Sequence, residues 1–258
     1  MTRPVRTFVA FTALLLAAAP LAAQRPAAGD VQVRWLGHAT FEVVSKGGTR
    51  ILIDPFITEN PTTPDSLKSL ERYRGADRPA AILVSHAHSD HSADAKAVAQ
   101  ASGAPVVSAA EWVPKLELPE AQSKGGNVGG TFRFGDVTVR LVPAMHSSEP
   151  GRALGFVLEF EGGRTLYHTG DTWIFGDMAL IQELYRPDII LLGVGGSAWT
   201  QDPRTAAAAV RKFFRPSVIV PMHFGTGFPG LATEAEVRQV FAGDRRVAMM
   251  KPGETRRF

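Results

Sequence analysis

Short apolar runs separated by polar turns dominate the chain from Val31 onward. Residues 31–36 alternate apolar and polar side chains with a period of two, and similar runs follow over 40–44 and 50–54. Paired glycines separate the second run from the third. Alternation of this kind around a glycine turn predicts antiparallel β-structure.

From residue 80 the pattern changes to strand, loop and helix, with a buried strand over 80–84 and a helix predicted over 92–102. Hairpins then return around the glycines near 135 and 162, and strands alternate with helices up to a last strand predicted over 246–250. The same order of elements therefore occurs twice. It predicts an α/β fold in which two β-sheets pack face to face with helices outside.

The first 23 residues differ from the rest. Arg3 and Arg6 precede an apolar stretch over 8–16, and small residues lead up to Ala23. This pattern predicts a secretory signal peptide over 1–23, with an uncleaved N-terminal anchor as the alternative. We therefore expect a polar lead segment over 24–30 and one domain over 31–258. The expected protein is periplasmic or secreted and has no stable membrane span after processing.

Composition narrows the chemistry of the chain. The sequence contains no cysteine, which excludes disulfides, thiolate metal ligands and a thiol nucleophile. The net charge of +3 includes Arg3 and Arg6 of the predicted signal peptide. The remaining residues are nearly neutral and carry no stripe of basic and aromatic side chains, so we expect no nucleic-acid partner.

A cluster of metal-ligating side chains follows the predicted strand 80–84. His86, His88, Asp90 and His91 lie within six consecutive positions. In an extended segment His86 and His88 point to the same side, and the other two lie on the turn that follows. Neutral imidazole and carboxylate suit zinc and related first-row metals, so the cluster predicts a metal site. A histidine-rich surface turn is the alternative.

Three more candidate ligands lie where predicted strands end. His146, Asp171 and His223 each follow a run of apolar residues. A single histidine in such a place is usually a hydrogen-bonded core or surface residue. In α/β folds, however, functional sites collect where the loops at strand ends converge. We therefore expect these residues to complete the site that the histidine cluster begins.

Several sequence motifs together resemble the metallo-β-lactamase fold superfamily. They are the segments 35–40 (WLGHAT), 86–91 (HAHSDH), 169–172 (TGDT) and 221–226 (PMHFGT). The resemblance is narrower to its ascorbate-phosphate-lactonase-like branch, which includes many predicted metal-dependent hydrolases. It covers residues 31–251 and implies an αββα sandwich of two mixed β-sheets flanked by helices.

The resemblance also implies a site for two divalent metal ions. Zinc or manganese are the expected metals, and imidazole with carboxylate also fits iron or nickel. The first ion would be held by His86, His88 and His146. The second would be held by Asp90, His91 and His223, and Asp171 would bridge the two.

The expected activity is hydrolysis of a small ester-like bond, with a lactone as the leading small-molecule substrate. Two such ions can share a water and lower its pKa to about 7, which produces a metal-bridging hydroxide. Asp90 would orient this hydroxide and collect its proton. The family pattern implies that His38 contacts the substrate or protonates the leaving group, with a structural hydrogen bond as the alternative.

Other interpretations stay open. A phosphodiesterase with the same two-metal site is the alternative enzyme, and a non-catalytic metal-binding scaffold is the alternative of another class. Asp54 is a candidate to fix the orientation of a ligand imidazole. His168 is expected to support the loop that carries Asp171. Four aromatic residues are expected near the rim of the site: Trp173, Phe175, Trp199 and Phe224. Formation of a homo-oligomer is also left open.

Overall fold

A computed structural model describes residues 31–258 of the chain. The predicted signal peptide, residues 1–23, and the lead segment, residues 24–30, lie outside the described residues. Within 31–258 no helix has both the length and the apolar character needed to cross a membrane.

Thirteen strands build two sheets in the described part of the chain. In chain order the strands are β1 Gln32–Gly37, β2 Thr40–Val44, β3 Arg50–Ile53, β4 Ala81–Leu83, β5 Val106–Ala109, β6 Ser123–Gly126, β7 Thr131–Phe134, β8 Val137–Pro143, β9 Leu154–Phe160, β10 Thr165–His168, β11 Ile189–Gly193, β12 Val218–Met222 and β13 Thr255–Arg257. The first sheet has the order β13-β1-β2-β3-β4-β5-β6, and the second has the order β12-β11-β10-β9-β8-β7.

Each sheet is mixed. In the first sheet β13, β1, β2 and β3 pair antiparallel, whereas β3 to β6 pair parallel. In the second sheet β7 to β10 pair antiparallel, and β10 to β12 pair parallel. The helices are α1 Ser89–Ser92, α2 Ala95–Ser102, α3 Met178–Tyr185, α4 Pro203–Phe213 and α5 Glu234–Val240. The predicted αββα sandwich of two mixed β-sheets flanked by helices is confirmed.

The core follows from the apolar runs. The parallel strands β4 and β11 are buried at every position, which explains why they read as continuous apolar runs and not as alternating ones. Phe41, Leu141 and Phe156 are fully buried in strands that also carry less buried positions. Burial of apolar surface in this core is the main source of stability, because the chain has no disulfide.

The predicted last strand is wrong. Residues 246–250 contribute only an isolated bridge between Val247 and Ile219. The last strand is instead β13, which pairs antiparallel with β1 at the edge of the first sheet. Its sequence, Thr-Arg-Arg, lacks the apolar alternation that marks a half-buried strand. Hydrogen bonds of the backbone hold it, including those exchanged by Val31 and Phe258.

The predicted helix over 92–102 is two helices. The short helix α1 begins at Ser89, inside the histidine cluster, and α2 begins at Ala95. Between them the Asp94 carboxylate accepts hydrogen bonds from the amides of Ile57 and Thr58. This contact ties the start of α2 to the loop after β3.

Candidate metal centre

The candidate ligands come from turns that follow strands of both sheets. His86 and His88 follow β4, Asp171 follows β10, and His223 follows β12. His88 has extended backbone angles and directly precedes α1, so Asp90 and His91 lie in the first turn of that helix. The ends of strands from two facing sheets therefore bring the ligand-capable side chains together.

The first group of donor atoms contains three imidazoles. The Nδ1 atom of His88 lies 3.0 Å from Nε2 of His86 and 3.2 Å from Nε2 of His146. The three atoms all lie within 4.8 Å of one another. Three converging ring nitrogens are the ligand set that the sequence predicted for the first metal ion, and imidazole nitrogen is a preferred zinc ligand.

The second group surrounds the Asp90 carboxylate. The Oδ2 atom of Asp90 lies 3.7 Å from Nε2 of His91 and 3.5 Å from Nε2 of His223. It also lies 2.8 Å from Nε2 of His38. The structure therefore places His38 directly beside a predicted ligand, as a hydrogen-bond partner of Asp90.

Asp171 lies between the two groups. Its Oδ1 atom is 3.6 Å from Nε2 of His91. Its Oδ2 atom is 3.1 Å from Nε2 of His223 and 3.9 Å from Nε2 of His146. One carboxylate therefore faces donor atoms of both groups.

Buried polar atoms without partners test whether a metal fits these residues. Nε2 of His91, Nε2 of His223 and Oδ1 of Asp171 are buried and make no hydrogen bond. A buried polar atom without a hydrogen bond is costly, and buried polar groups are normally paired. Here the unpaired atoms are nitrogen and carboxylate oxygen, and they converge on one place. The donor set therefore fits a divalent metal ion.

The electrostatics of the metal-free site are dominated by coupling between imidazoles and carboxylates. Burial raises the pKa of Asp171, but His223 and His91 outweigh this effect and hold the pKa well below its ordinary value. Burial lowers the pKa of His223, but Asp171 and Asp90 outweigh it and raise the pKa to about 9. Burial, with the neighbouring His223, lowers the pKa of His38 to about 4. His38 is therefore a neutral imidazole, which can donate from Nε2 to Asp90.

A buried carboxylate, Asp54, contacts the imidazole of one candidate ligand and the side chain next to another. Asp54 Oδ2 lies 2.8 Å from Nδ1 of His91 and accepts a hydrogen bond of 2.7 Å from the Ser85 hydroxyl. The Ser85 amide donates to Asp54 Oδ1, and the Ser85 oxygen lies 3.0 Å from Nδ1 of His86. Asp54 thus occupies the supporting position expected of it. The part played by Ser85 was missed because a serine beside histidines carries no distinctive sequence signal.

His38 and His168 each make hydrogen bonds with the backbone of neighbouring turns. His38 has a positive φ of 51°, and its carbonyl accepts hydrogen bonds from the Trp35 indole and from the His223 amide. His168 is fully buried. Its Nε2 atom donates to the Ala39 carbonyl, and its Nδ1 atom accepts from the Gly170 amide. As expected, His168 supports the loop that carries Asp171.

A cavity lies beside the candidate ligands. Trp199 lines it, whereas Phe224 is buried and packs against Trp35 with ring centroids 5.5 Å apart. The prediction of a rim position is therefore correct for Trp199 and wrong for Phe224, and Trp173 and Phe175 do not line the cavity either. The cavity wall also includes Thr226 and Phe228, which the sequence analysis did not assign. The glycine-rich segment 225–230, directly after His223, was the available signal for a loop at the site.

Two mixed sheets in an αββα sandwich, with a histidine and aspartate cluster at the strand ends, define this chain as a protein of the metallo-β-lactamase fold. A family model described as "Beta-lactamase superfamily domain" matches residues 32–223. A metal-dependent hydrolase from Pyrobaculum islandicum is 43% identical over 235 residues, which cover 88% of this chain and 100% of the relative. A second one, from Myxococcus xanthus, is 41% identical and covers 92% of this chain and 86% of the relative. The chain belongs to the UPF0173 metal-dependent hydrolase family of this superfamily.

Solved structures agree with this assignment. Igni18, a metallo hydrolase from Ignicoccus hospitalis, is 37% identical, has a TM-score of 0.77, and covers 88% of this chain and 98% of its own. An isothiocyanate hydrolase from Delia radicum gut bacteria has a TM-score of 0.67 at 19% identity, covering 88% of this chain and 98% of its own. At that identity the likeness shows the fold alone. The resemblance to the superfamily and to its predicted metal-dependent hydrolases is confirmed.

The expectation of a periplasmic or secreted protein is wrong. The signal peptide that carried it falls on residues 1–23, outside the described residues. The matched relatives are described as metal-dependent hydrolases and are not shown as secreted. Basic residues followed by an apolar run are a compositional pattern, which by itself does not establish export.

Proposed function

We propose that the chain uses two divalent metal ions, zinc or manganese, to hydrolyse a small ester-like bond. His86, His88 and His146 would hold one ion, and Asp90, His91 and His223 would hold the other. The position of Asp171 between the two groups of donor atoms is the observation that carries this proposal. A carboxylate with one oxygen facing His91 and the other facing both His223 and His146 suits a bridging ligand better than a single-metal one.

When bound, ions at such a site supply a Lewis acid and lower the pKa of water to about 7. The protein's own contribution centres on Asp90, whose side chain is 29% exposed and whose Oδ2 atom lies 2.8 Å from Nε2 of His38. Asp90 can orient a water molecule and take its proton, and the His38 N–H group stabilises the carboxylate and fixes its direction. His91 is held in one orientation by Asp54.

The cavity supports an ester over a phosphodiester as the substrate. Phosphate recognition generally uses arginine or lysine, and neither residue is among the described residues that line this cavity. Arg204 lines a different cavity, between α4 and α5. A lactone remains the leading substrate class, and a phosphodiester is the alternative that a direct assay separates.

Elemental analysis followed by a substrate screen tests the proposal. Purified protein should contain close to two divalent ions per chain, and the metal-loaded form should hydrolyse lactones or related esters. Asp171→Asn should lose metal and activity together. The matched change Asp65→Asn, at a carboxylate that is 98% exposed, should change neither.

Three results would contradict the proposal. If the purified protein contained no stoichiometric metal, the proposal of a two-metal hydrolase would fail. Turnover of phosphodiesters but not of esters would favour the alternative enzyme. Stoichiometric metal without turnover of any substrate, after reconstitution with zinc and with manganese, would favour a metal-binding scaffold.

A further inference from the structure

The cavity beside the candidate ligands has a volume of about 850 Å³, large enough for a small organic molecule. Away from the ligands its wall is largely aromatic and aliphatic. The rings of Phe56 and Phe228 lie with centroids 6.1 Å apart, and the His38 ring lies 6.0 Å from the first and 5.3 Å from the second. Trp199, which is 63% exposed, extends this wall toward the solvent. The cavity therefore offers an apolar surface next to His38 and Asp90.

One polar group in this wall has no partner. Thr226 lines the cavity and is 1% exposed, yet its hydroxyl oxygen makes no hydrogen bond. Buried hydroxyls are normally satisfied, so an unpaired one beside a cavity indicates a group that a ligand completes. A hydroxyl has one donor and two acceptor sites and pairs well with an uncharged carbonyl or ether oxygen.

The outer part of the cavity, away from the candidate ligands, carries an acidic side chain and no basic one among the described lining residues. Among its described lining residues the ionisable groups other than histidine are carboxylates: Glu59 in the exposed part of the wall, and Asp90 and Asp171 at the candidate ligands. Bound divalent ions would neutralise Asp90 and Asp171, so Glu59 carries the negative charge that disfavours a negatively charged arm. The arm of a substrate that reaches Glu59 should therefore be uncharged.

We propose that this cavity selects uncharged substrates with an apolar alkyl or aryl arm. The arm packs against the surface formed by Phe56 and Phe228, the Thr226 hydroxyl donates a hydrogen bond to a neutral substrate oxygen, and Glu59 disfavours anionic arms. This inference rests on the proposed hydrolysis of ester-like bonds and names the substrate class of that site.

Two lactones that differ only in the charge of the arm provide the test. One is a γ-butyrolactone with a phenyl arm, and the other carries a 4-carboxyphenyl arm. The metal-loaded protein should show a kcat/KM about tenfold higher for the phenyl compound. Repulsion between Glu59 and the carboxylate of the other arm is expected to lower kcat/KM by about that factor. Glu59→Lys should remove or reverse this preference.

Two variants test the role of the Thr226 hydroxyl. Thr226→Val removes the hydroxyl and keeps the shape of the side chain, so kcat/KM for the phenyl lactone should fall about 3- to 10-fold. Thr226→Ser keeps the hydroxyl and should retain most of the activity.

Glu120→Lys is the matched control for Glu59→Lys, because Glu120 is exposed and lies outside the cavity. It should leave the preference unchanged.

Binding of the corresponding γ-lactams, which resist hydrolysis, separates this inference from the proposed function. If no lactone is hydrolysed but the phenyl lactam binds about tenfold more tightly than the carboxyphenyl lactam in calorimetry, the selectivity stands and the proposed function fails. If the two lactams bind equally, or if Glu59→Lys leaves their ratio unchanged, the charge selection is overturned. Equal kcat/KM in wild type and Thr226→Val would overturn the assignment of Thr226.

Discussion

At the scale of single residues, the candidate site depends on how its imidazoles are oriented. Asp54 is fully buried, has a positive φ of 47° and holds Nδ1 of His91 at 2.8 Å. Asp54→Asn removes the charge and allows the ring to be held in the wrong tautomer. We expect metal affinity to fall about 10- to 100-fold, which is typical for such supporting carboxylates. Competition with a chromophoric chelator measures it, and the buried Asp94→Asn, whose carboxylate contacts backbone amides instead, should leave metal affinity near wild type.

Protonation of His223 leads to a second prediction at this scale. The pKa of His223 is about 9 in the metal-free protein, above its ordinary value of 6.5. The protonated form therefore stabilises the metal-free fold below about pH 6.5, and this contribution is lost as the pH rises through about 9. A metal must displace this proton, so binding at about pH 7.5 should release protons and become tighter as the pH rises toward 9. Calorimetry in two buffers of different ionisation enthalpy measures the release. Equal heats in both buffers would contradict the prediction.

At the scale of elements, β2 carries a buried carboxylate that connects a strand to the loop over 57–78. The Glu42 side chain is fully buried and lies 3.0 Å from Arg34 and 2.8 Å from Arg72. It also accepts a hydrogen bond of 2.9 Å from Tyr73. Glu42→Gln removes the carboxylate that pairs with Arg34 and leaves Arg72 with Asp77, 2.9 Å away, as its other acidic partner. We expect the free energy of unfolding to fall by about 3 kcal/mol.

Urea unfolding checks this value against a matched change on another strand. Glu159 on β9 pairs with Arg140 at 2.6 Å, but both side chains are about one-third exposed. Glu159→Gln should therefore cost less than about 1 kcal/mol. Similar costs for the two variants would show that burial of Glu42 does not matter.

Some elements of the fold and site are predicted from the sequence and others are not, for physical reasons. Strands such as β11 are predicted because their side chains are apolar. The candidate ligands are predicted because three histidines and an aspartate lie within 86–91 and the motifs around them resemble a known superfamily. The strand β13 is not predicted, because hydrogen bonds of its backbone hold it and these require no particular pattern of side chains. Phe56 and Phe228 of the cavity wall are not predicted, because they lie on loops far apart in the sequence and only the tertiary fold brings them together.

At the scale of the whole molecule, the candidate metal centre joins the two sheets. His86, His88 and His91 follow a strand of the first sheet, whereas His146, Asp171 and His223 follow strands of the second. A ligand that binds only the folded state stabilises it, by about 2.7 kcal/mol when its concentration is 100 times Kd. Metal bound across both sheets should therefore stabilise the fold as a unit.

Removal of metal with a chelator should lower Tm by about 5 to 10 °C, because each kcal/mol corresponds to about 2–4 °C for a domain of this size. Addition of zinc or manganese should restore Tm in a concentration-dependent way. Asp171→Asn should respond weakly to both treatments, since it loses the carboxylate that faces both groups of ligands, whereas the exposed Asp65→Asn should respond as wild type does. Differential scanning calorimetry measures these shifts. The same Tm with and without metal in the wild-type protein would mean that the ligand groups do not join the two sheets through bound ions.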